Sequence, residues 1–485
     1  MGIVFKQSLN NTLVTYIGFG IGAINQLFLY TQFLEAEYFG LVTVMFSASL
    51  ILMPLMTFGV QNTLVKYYSS FKEEQELNAF LTLMLLLPIV IVLPLAGVAY
   101  FANETIGDFL SSTNPIVKNY VWYIFLIGFS LAYFEIFYAW ARVRLKSVFG
   151  NFMKEIFTRV GTMILLVLIY LDVISVDFFL KAMVGVNLLR VFVMKLYAYK
   201  LQMPKIDFKW PENTREILSY STLIVLGGSA AIILLEIDKV MLNQYISIEN
   251  VAYYGIATYI AMVIIVPSRS MHQITYPLTA ELINSGNMIG LKTLYQKSSL
   301  TLFIASGVLF LLIILNLDQL YLLLPEEYRG GFTVVFIIGL IKVYDSLLGN
   351  NNSILYNSEY YRAVLVMGIL LAVITILFNL WLIPRYGLEG AAIASFLAFF
   401  IYNTVKLIYV KVKFGMLPFT TSTLKVLGVL LLIGIPFYFL NFTWHPIINI
   451  ILKGTLMAVL FGFAIYVFKI SADVNGVIDK LIKRS

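Results

Sequence analysis

From Asn78 to Phe101 the chain reads NAFLTLMLLLPIVIVLPLAGVAYF, with no charged residue anywhere in the run. A helix rises 1.5 Å per residue and the hydrocarbon core of a bilayer is about 30 Å thick, so roughly 20 apolar residues make one crossing. The same kind of stretch recurs outward in both directions. Apolar runs fall near 9–31, 40–65, 78–101, 119–141, 156–172 and 178–200. A polar connection from Lys200 to Arg215, holding Pro204 and Pro211, follows. Further runs fall near 216–237, 251–267, 298–317, 332–349, 363–383 and 389–410, and a last pair near 422–440 and 448–469. The pattern predicts an all-α polytopic membrane protein with about 14 transmembrane helices.

Composition agrees. The chain is 60% hydrophobic and 12% charged, with mean hydropathy +0.89; the charged share is about half that of soluble domains. The connections are too short for a soluble catalytic domain, and the chain is not expected to be an enzyme. The net charge of +7 does not point to nucleic acid, because the basic residues sit in alternate loops and form no stripe or tail. The lack of cysteine excludes disulfides, Fe–S clusters and thiol catalysis. His272 and His445 are the two histidines, too few for a His-rich zinc or haem site, and both read as loop residues; no metal site is expected. The first apolar run follows Lys6 and lacks a small-x-small cleavage pattern, so it reads as a retained helix.

Loop charge sets orientation. With the N-terminus inside, the inner loops collect Lys66, Lys72, Arg142, Arg144, Lys146, Lys154, Lys200, Lys205, Lys209, Arg215, Arg269, Lys292, Lys297, Arg362, Lys411, Lys413 and Lys425. The outer loops hold only Lys118, Lys239, Arg329, Arg385 and Lys453. Both termini are therefore expected in the cytoplasm. A weak internal repeat accompanies this. Tyr38-Phe39-Gly40 precedes a helix broken by Pro54, and Tyr253-Tyr254-Gly255 precedes one broken by Pro267; Glu135 and Asp345 recur at nearly the same offset. The expected organisation is an N-lobe over 1–200, a cytoplasmic linker over 201–215, a C-lobe over 216–410, and helices 13 and 14 with an amphipathic tail over 411–485. Two six-helix lobes in pseudo-twofold repeat, with a substrate site between them, are a recurring transporter plan. Val474, Val477, Ile478, Leu481 and Ile482 with Lys480, Lys483 and Arg484 suit a helix on an anionic leaflet, and Leu282, Ile289 and Leu294 suggest a second surface helix within 281–297.

A charge deep in a span costs several kcal/mol unless it faces protein or water. Glu135, Arg190, Lys342 and Asp345 are such residues. Glu135, Tyr138 and Arg142 share one helix stripe; Asn187, Arg190 and Met194 share another; Lys342, Asp345 and Gly349 a third. The candidate substrate-binding residues are Arg190, Lys342, Asn187, Asn25, Gln26 and Tyr138. Glu135, Asp345 and Arg159 are candidates for a coupling-ion site or for ion pairs: Glu135 reads either as a proton or cation site or as the partner of Arg159, and Asp345 either as an ion site or as the partner of Lys342. Asn25 and Gln26 read as sugar contacts or as interhelical glue. Gly227-Gly228-Ser229 permits close helix approach or a local break, and Pro54, Pro88, Pro94 and Pro267 predict kinks.

Several stretches carry a family resemblance: Ser8-Leu9-Asn10-Asn11-Thr12, Tyr38-Phe39-Gly40-Leu41, Asp238-Lys239-Val240-Met241-Leu242 and, most specifically, Ile383-Pro384-Arg385-Tyr386-Gly387-Leu388-Glu389-Gly390-Ala391-Ala392-Ile393-Ala394. The chain resembles polysaccharide-biosynthesis flippases of the Wzx type, within the multidrug/oligosaccharidyl-lipid/polysaccharide exporter (MOP, MATE-like) superfamily. The resemblance implies two six-helix lobes around a cationic cavity and alternating-access transfer of a polyprenyl-pyrophosphate-linked oligosaccharide from the inner to the outer leaflet. Arg190 and Lys342 match that cationic lining by depth. No cofactor is expected beyond a coupled Na+ or H+. The implied setting is a bacterial cytoplasmic (inner) membrane, with membrane lipids, the lipid-linked glycan and polymerase or other glycan-assembly proteins as partners, and a functional monomer. A cation-coupled multidrug exporter of the same superfamily is the alternative. A membrane glycosyltransferase, suggested by Glu35-Ala36-Glu37, is a more distant one.

Overall fold

The computed structural model describes residues 2–440, 442 and 444–482, without the side chains of 2–9, 226–231, 273, 477, 478 and 480–482. Every regular element among the described residues is helical, and the protein is a multi-pass membrane protein. The principal helices are α1 (Gly2–Ile24), α2 (Ala36–Thr57), α3 (Glu74–Phe101), α4 (Val121–Val143), α5 (Thr158–Tyr170), α6 (Val176–Leu201), α7 (Thr214–Tyr245), α8 (Ile248–Met262), α9 (Met288–Ile314) and α10 (Phe332–Leu347). The helical stretch Tyr361–Phe414 is broken at Gly387, whose φ of 54° and ψ of −126° are non-helical; its arms before and after are α11 and α12. Then come α13 (Thr421–Phe439) and α14 (Pro446–Val467). Each apolar run read from the sequence falls on one of these. Among the described residues, nine helical segments are by length and composition able to cross a membrane unaided, Tyr361–Phe414 counting as one.

The chain gathers into two compact units, Met1–Gly255 and Ile256–Ser485. In the first unit α4 packs against α2 and α6. The Ser49 hydroxyl bonds the Ile124 carbonyl across that contact at 2.8 Å, and Phe80, Phe134, Phe137, Trp140 and Met194 fill the core. The α7 helix lies along α2. Ser47 donates to the Glu236 carboxylate at 2.7 Å, Thr63 and Ser221 share a 2.7 Å bond, and the Tyr67 phenol donates to Glu216 at 2.8 Å. Past the end of α7, the buried Asn114 amide donates to the carbonyls of Asn243 and Ile246 at 2.8 and 2.9 Å, and its oxygen accepts the Ile248 N–H at 3.0 Å. Gly40 is needed here for space: a Cβ on it would stand 2.1 Å from the Ile248 carbonyl oxygen.

In the second unit, α10 packs between α9 and the Tyr361–Phe414 helix. The turn after α10 is Gly349-Asn350-Asn351-Asn352, and its amides bind neighbouring helices. Asn350 donates to Thr279 at 2.8 Å and accepts from Ser298 at 3.1 Å, while Asn351 donates to Tyr295 at 2.8 Å.

The structure corrects several expectations. The interruption after α2 is not at Pro54: the helix continues to Thr57 and breaks at Phe58 and Gly59, both left-handed (φ 46° and 68°), before resuming at Val60. Pro54 lies within the helix, as do Pro88 and Pro94 within α3; a proline in a span is tolerated where neighbours satisfy the freed carbonyl, and the Pro54 carbonyl accepts the Thr57 hydroxyl at 3.0 Å. Before Pro267 the helix does change, through a 3-10 turn over Val263–Ile265. His272 is not a loop residue but lies in the helix Val266–Asn284. The stretch 281–297 is no separate surface helix: that helix ends at Asn284 and α9 begins at Met288, around Gly286 at φ 70°. The tail does form a helix, Ala472–Ile482, but Val477, Ile478, Lys480, Leu481, Ile482, Lys483 and Arg484 lie outside the described side chains, as do Gly227, Gly228 and Ser229.

Candidate functional site

The polar interior of the first unit is built on α4, α6 and the start of α5. The approach to α5 is irregular: Ser147–Phe152 is α-helical and Met153–Phe157 forms a π-helical turn. A second π turn, Asn25–Leu29, extends α1, and the two halves interlock. Asn25, 4% exposed, donates from Nδ2 to the Arg159 carbonyl at 2.8 Å. Asn25 therefore acts as interhelical glue. Gln26 sits beside it in the same turn, half-buried. Such bulges widen a helix by one residue and free backbone groups for other partners.

Glu135 projects from α4 to meet Lys154 of the π turn, with Oε1 and Nζ 2.6 Å apart. The anticipated partner Arg159 is engaged elsewhere: its Nη1 bonds the Glu155 carboxylate and the Glu155 carbonyl, each at 2.7 Å. The π turn explains the exchange, since it resets which residues of this segment face α4. Arg142 stacks on the Tyr138 ring, 5.0 Å from its centre, and Tyr138 packs face-on against Gly150, where an added Cβ would come within 2.1 Å of the ring.

Arg190 is the unusual member. It is 4% exposed on α6, and its guanidinium lies 4.3 Å from the centre of the Phe134 ring. Its Nε and Nη2 are buried without a hydrogen-bond partner among the described residues. Glu135 and Glu155 act on it electrostatically. Both acids are already paired, with Lys154 and Arg159. Asn187, one turn away, spends its amide on the Met183 carbonyl at 2.9 Å. The cluster thus holds a planar cation with unused donors. A guanidinium in this state matches a phosphate or carboxylate, which offers paired acceptor oxygens.

The second unit has its own polar site. Lys342 is 7% exposed with its ammonium 5.5 Å from the Phe399 ring centre. Asp345, on the same face of α10, lies within electrostatic reach of Lys406 on α12 and of His272. Lys406 is 1% exposed; it donates to Asn352 at 2.9 Å and sits over the Tyr402 ring at 4.2 Å. One turn before it, Asn403 is fully buried with both amide atoms unpartnered among the described residues.

Lys154, Lys406, Glu236 and the Asn350–Asn352 run were not singled out from the sequence. The lysines lie near helix ends, where a long cationic side chain ordinarily reaches for water. The signal for Lys406 is its i, i+3 spacing to Asn403, a polar face on an otherwise apolar helix.

A family model described as polysaccharide biosynthesis protein matches residues 4–283. An uncharacterized membrane protein of Methanocaldococcus jannaschii is 23% identical over 322 residues, 64% of this chain, and the match spans 62% of that relative's length. Among solved structures, the lipid II flippase MurJ in its inward closed conformation superposes with a TM-score of 0.74 at 14% identity, over 95% of this chain and 99% of that one. An inward-facing MATE family multidrug resistance transporter of the MOP superfamily gives 0.63 at 15% identity, over 83% and 94%. Those likenesses establish a MurJ- and MATE-like fold. With a family match over more than half its length, and with the fold the resemblance led us to expect, the chain belongs to the polysaccharide biosynthesis protein family.

Proposed function

We propose that this protein is a flippase that moves a polyprenyl-pyrophosphate-linked oligosaccharide from the cytoplasmic to the outer leaflet of a bacterial cytoplasmic membrane, for surface polysaccharide assembly. The observation that carries the reading is Arg190, a buried guanidinium with unused donors inside a membrane protein. A cation in that position is costly unless an anion or water meets it, and a pyrophosphate supplies both charge and acceptors. A glycan headgroup cannot cross hydrocarbon by itself, since each unpaired polar group there costs several kcal/mol; a polar site opened to one side at a time removes that cost while the lipid tail stays in the bilayer. In this reading both termini are cytoplasmic, as the loop lysines and arginines indicate. A Na+ or H+ engaging Glu135 or Asp345 drives the cycle, the monomer is the working unit, and polymerase or other glycan-assembly proteins take over the product.

The drug-exporter alternative requires an acid-dominated site for an organic cation. Glu135 is paired with Lys154, and Asp345 faces Lys406, which favours an anionic ligand over a cationic one. The test is reconstitution into liposomes with a fluorescent polyprenyl-pyrophosphate oligosaccharide, the lipid outside being bleached by a membrane-impermeant reductant. Flipping that depends on Arg190 supports the proposal. Transport of cationic dyes with no flipping would replace it with the exporter.

A further inference from the structure

The connection between α6 and α7 is an extended strap fastened to the protein along its length. At its start the Gln202 carbonyl accepts the Trp140 indole N–H at 3.2 Å, and the Gln202 side chain accepts the Tyr68 hydroxyl at 2.5 Å. Lys205 pairs with Glu74 at 2.5 Å, the Asp207 N–H bonds the Thr82 hydroxyl at 3.0 Å, and Pro211 is buried. Despite these attachments, Met203, Ile206, Phe208 and Trp210 are 69%, 70%, 77% and 69% exposed. Between and beside them stand Lys200, Lys209 and Arg215, all exposed. A contiguous exposed apolar patch marks an interaction surface. A strap pinned by its polar groups and presenting its apolar ones is a built feature, not a slack loop.

We propose that this strap is an in-plane anchor that sinks Ile206, Phe208 and Trp210 into the headgroup–acyl boundary of an anionic leaflet, with Lys200, Lys209 and Arg215 on the lipid phosphates. Two observations select lipid as the occupant. The strap joins the ends of two membrane helices, Leu201 and Thr214, so it lies at the depth where a bilayer surface must be. Its pattern of aromatic and basic residues also fits that boundary, where tryptophan prefers to sit and where anionic lipid attracts lysine and arginine. An extended segment is tolerated there because water and headgroups satisfy its backbone. The assignment of the leaflet as cytoplasmic rests on the topology proposed above; insertion itself does not depend on it.

The chain has no cysteine, so Phe208→Cys in the full-length protein can carry a single spin label. Collision rates with oxygen and with a water-soluble nickel chelate are measured in nanodiscs of phosphatidylcholine alone, and with one part in three phosphatidylglycerol. The expected result is oxygen access exceeding nickel access at position 208, more so with phosphatidylglycerol, while a label at Glu212→Cys reports water. Neutralising Lys200 and Lys209 to Gln should weaken the preference for anionic lipid by about fivefold per lysine. Trp210→Cys substitutes if Phe208→Cys does not fold. Equal exposure to water at 208 in both nanodiscs would overturn the proposal, and so would a label shielded from both reagents, which places a second copy or another protein on the strap. An anionic preference that survives the lysine changes overturns the headgroup contact. None of these readouts depends on a transported substrate, so failure of the flippase reading and failure of the anchor are separable.

Discussion

Lys154 of the π-helical turn and Glu135 of α4 form an ion pair at 2.6 Å, with the carboxylate side chain 15% exposed and the ammonium side chain 43% exposed. The pair ties α4 to the irregular start of α5, and Arg190 stands within electrostatic reach of its acid. Removing one member should therefore cost more than removing both. Lys154→Met is expected to lower stability by about 1–2 kcal/mol, and Glu135→Gln in the same protein should recover a large part of it. Thermal unfolding of the four proteins of this cycle in one detergent measures the coupling. Additive losses would show that the contact carries no net energy.

Arg190 supplies the next prediction. If its unused donors meet an anionic headgroup, Arg190→Ala should reduce flipping by about 10- to 100-fold, the worth of one or two charged hydrogen bonds. Arg190→Lys should restore little, because an ammonium cannot reproduce the stacked planar fork over Phe134. Initial flipping rates, normalised to folded protein by size-exclusion profile, decide this. Undiminished flipping in Arg190→Ala would remove the residue from the ligand path.

Gly40 tests packing rather than chemistry. A Cβ there meets the Ile248 carbonyl oxygen at 2.1 Å, whereas one on Gly20 has nothing within 4 Å. Gly40→Ala should destabilise by about 1–3 kcal/mol through forced displacement of backbone. Gly20→Ala should be neutral or slightly stabilising, since alanine favours helix. Melting temperatures of the two variants, measured side by side, check the contrast.

Lys406 is expected to be intolerant of change. Lys406→Met strips Asn352 of its donor and Asp345 of a nearby cation, and should cost about 3 kcal/mol. Asp345→Asn added to it should recover part of the loss if the two charges interact. A double variant no more stable than Lys406→Met alone would assign the cost to the Asn352 bond. Denaturation followed by intrinsic fluorescence provides the comparison.

The apolar runs were legible because hydrophobic length is a local property, and each one became a helix. Glu135, Arg190, Lys342 and Asp345 stood out for the same reason, a charge being conspicuous inside an apolar run. Partnership was harder to read. Lys154 meets Glu135 across a loop and through a turn that departs from 3.6 residues per repeat, so helical spacing pointed to Arg159. Lys406 escaped notice because a lysine near a helix end ordinarily extends to water, and only the packing of α12 against α10 and the Asn350–Asn352 turn shows that this one folds inward. The clasp of Asn114 on Asn243, Ile246 and Ile248 joins segments far apart in sequence, and no local pattern announces it.

The facing π turns, Asn25–Leu29 and Met153–Phe157, make residue count itself part of the design. Each residue in an α-helix advances the rotation by about 100°. Deleting one residue from Met153–Phe157 would leave a smoother cylinder but swing everything beyond it by about a quarter of a revolution. The Arg159 carbonyl would then turn away from Asn25, and the whole remainder of α5 would present a different side to its neighbours. Insertions and deletions at these two places should consequently be far less forgiving than substitutions, although neither lies in a tight corner of the chain.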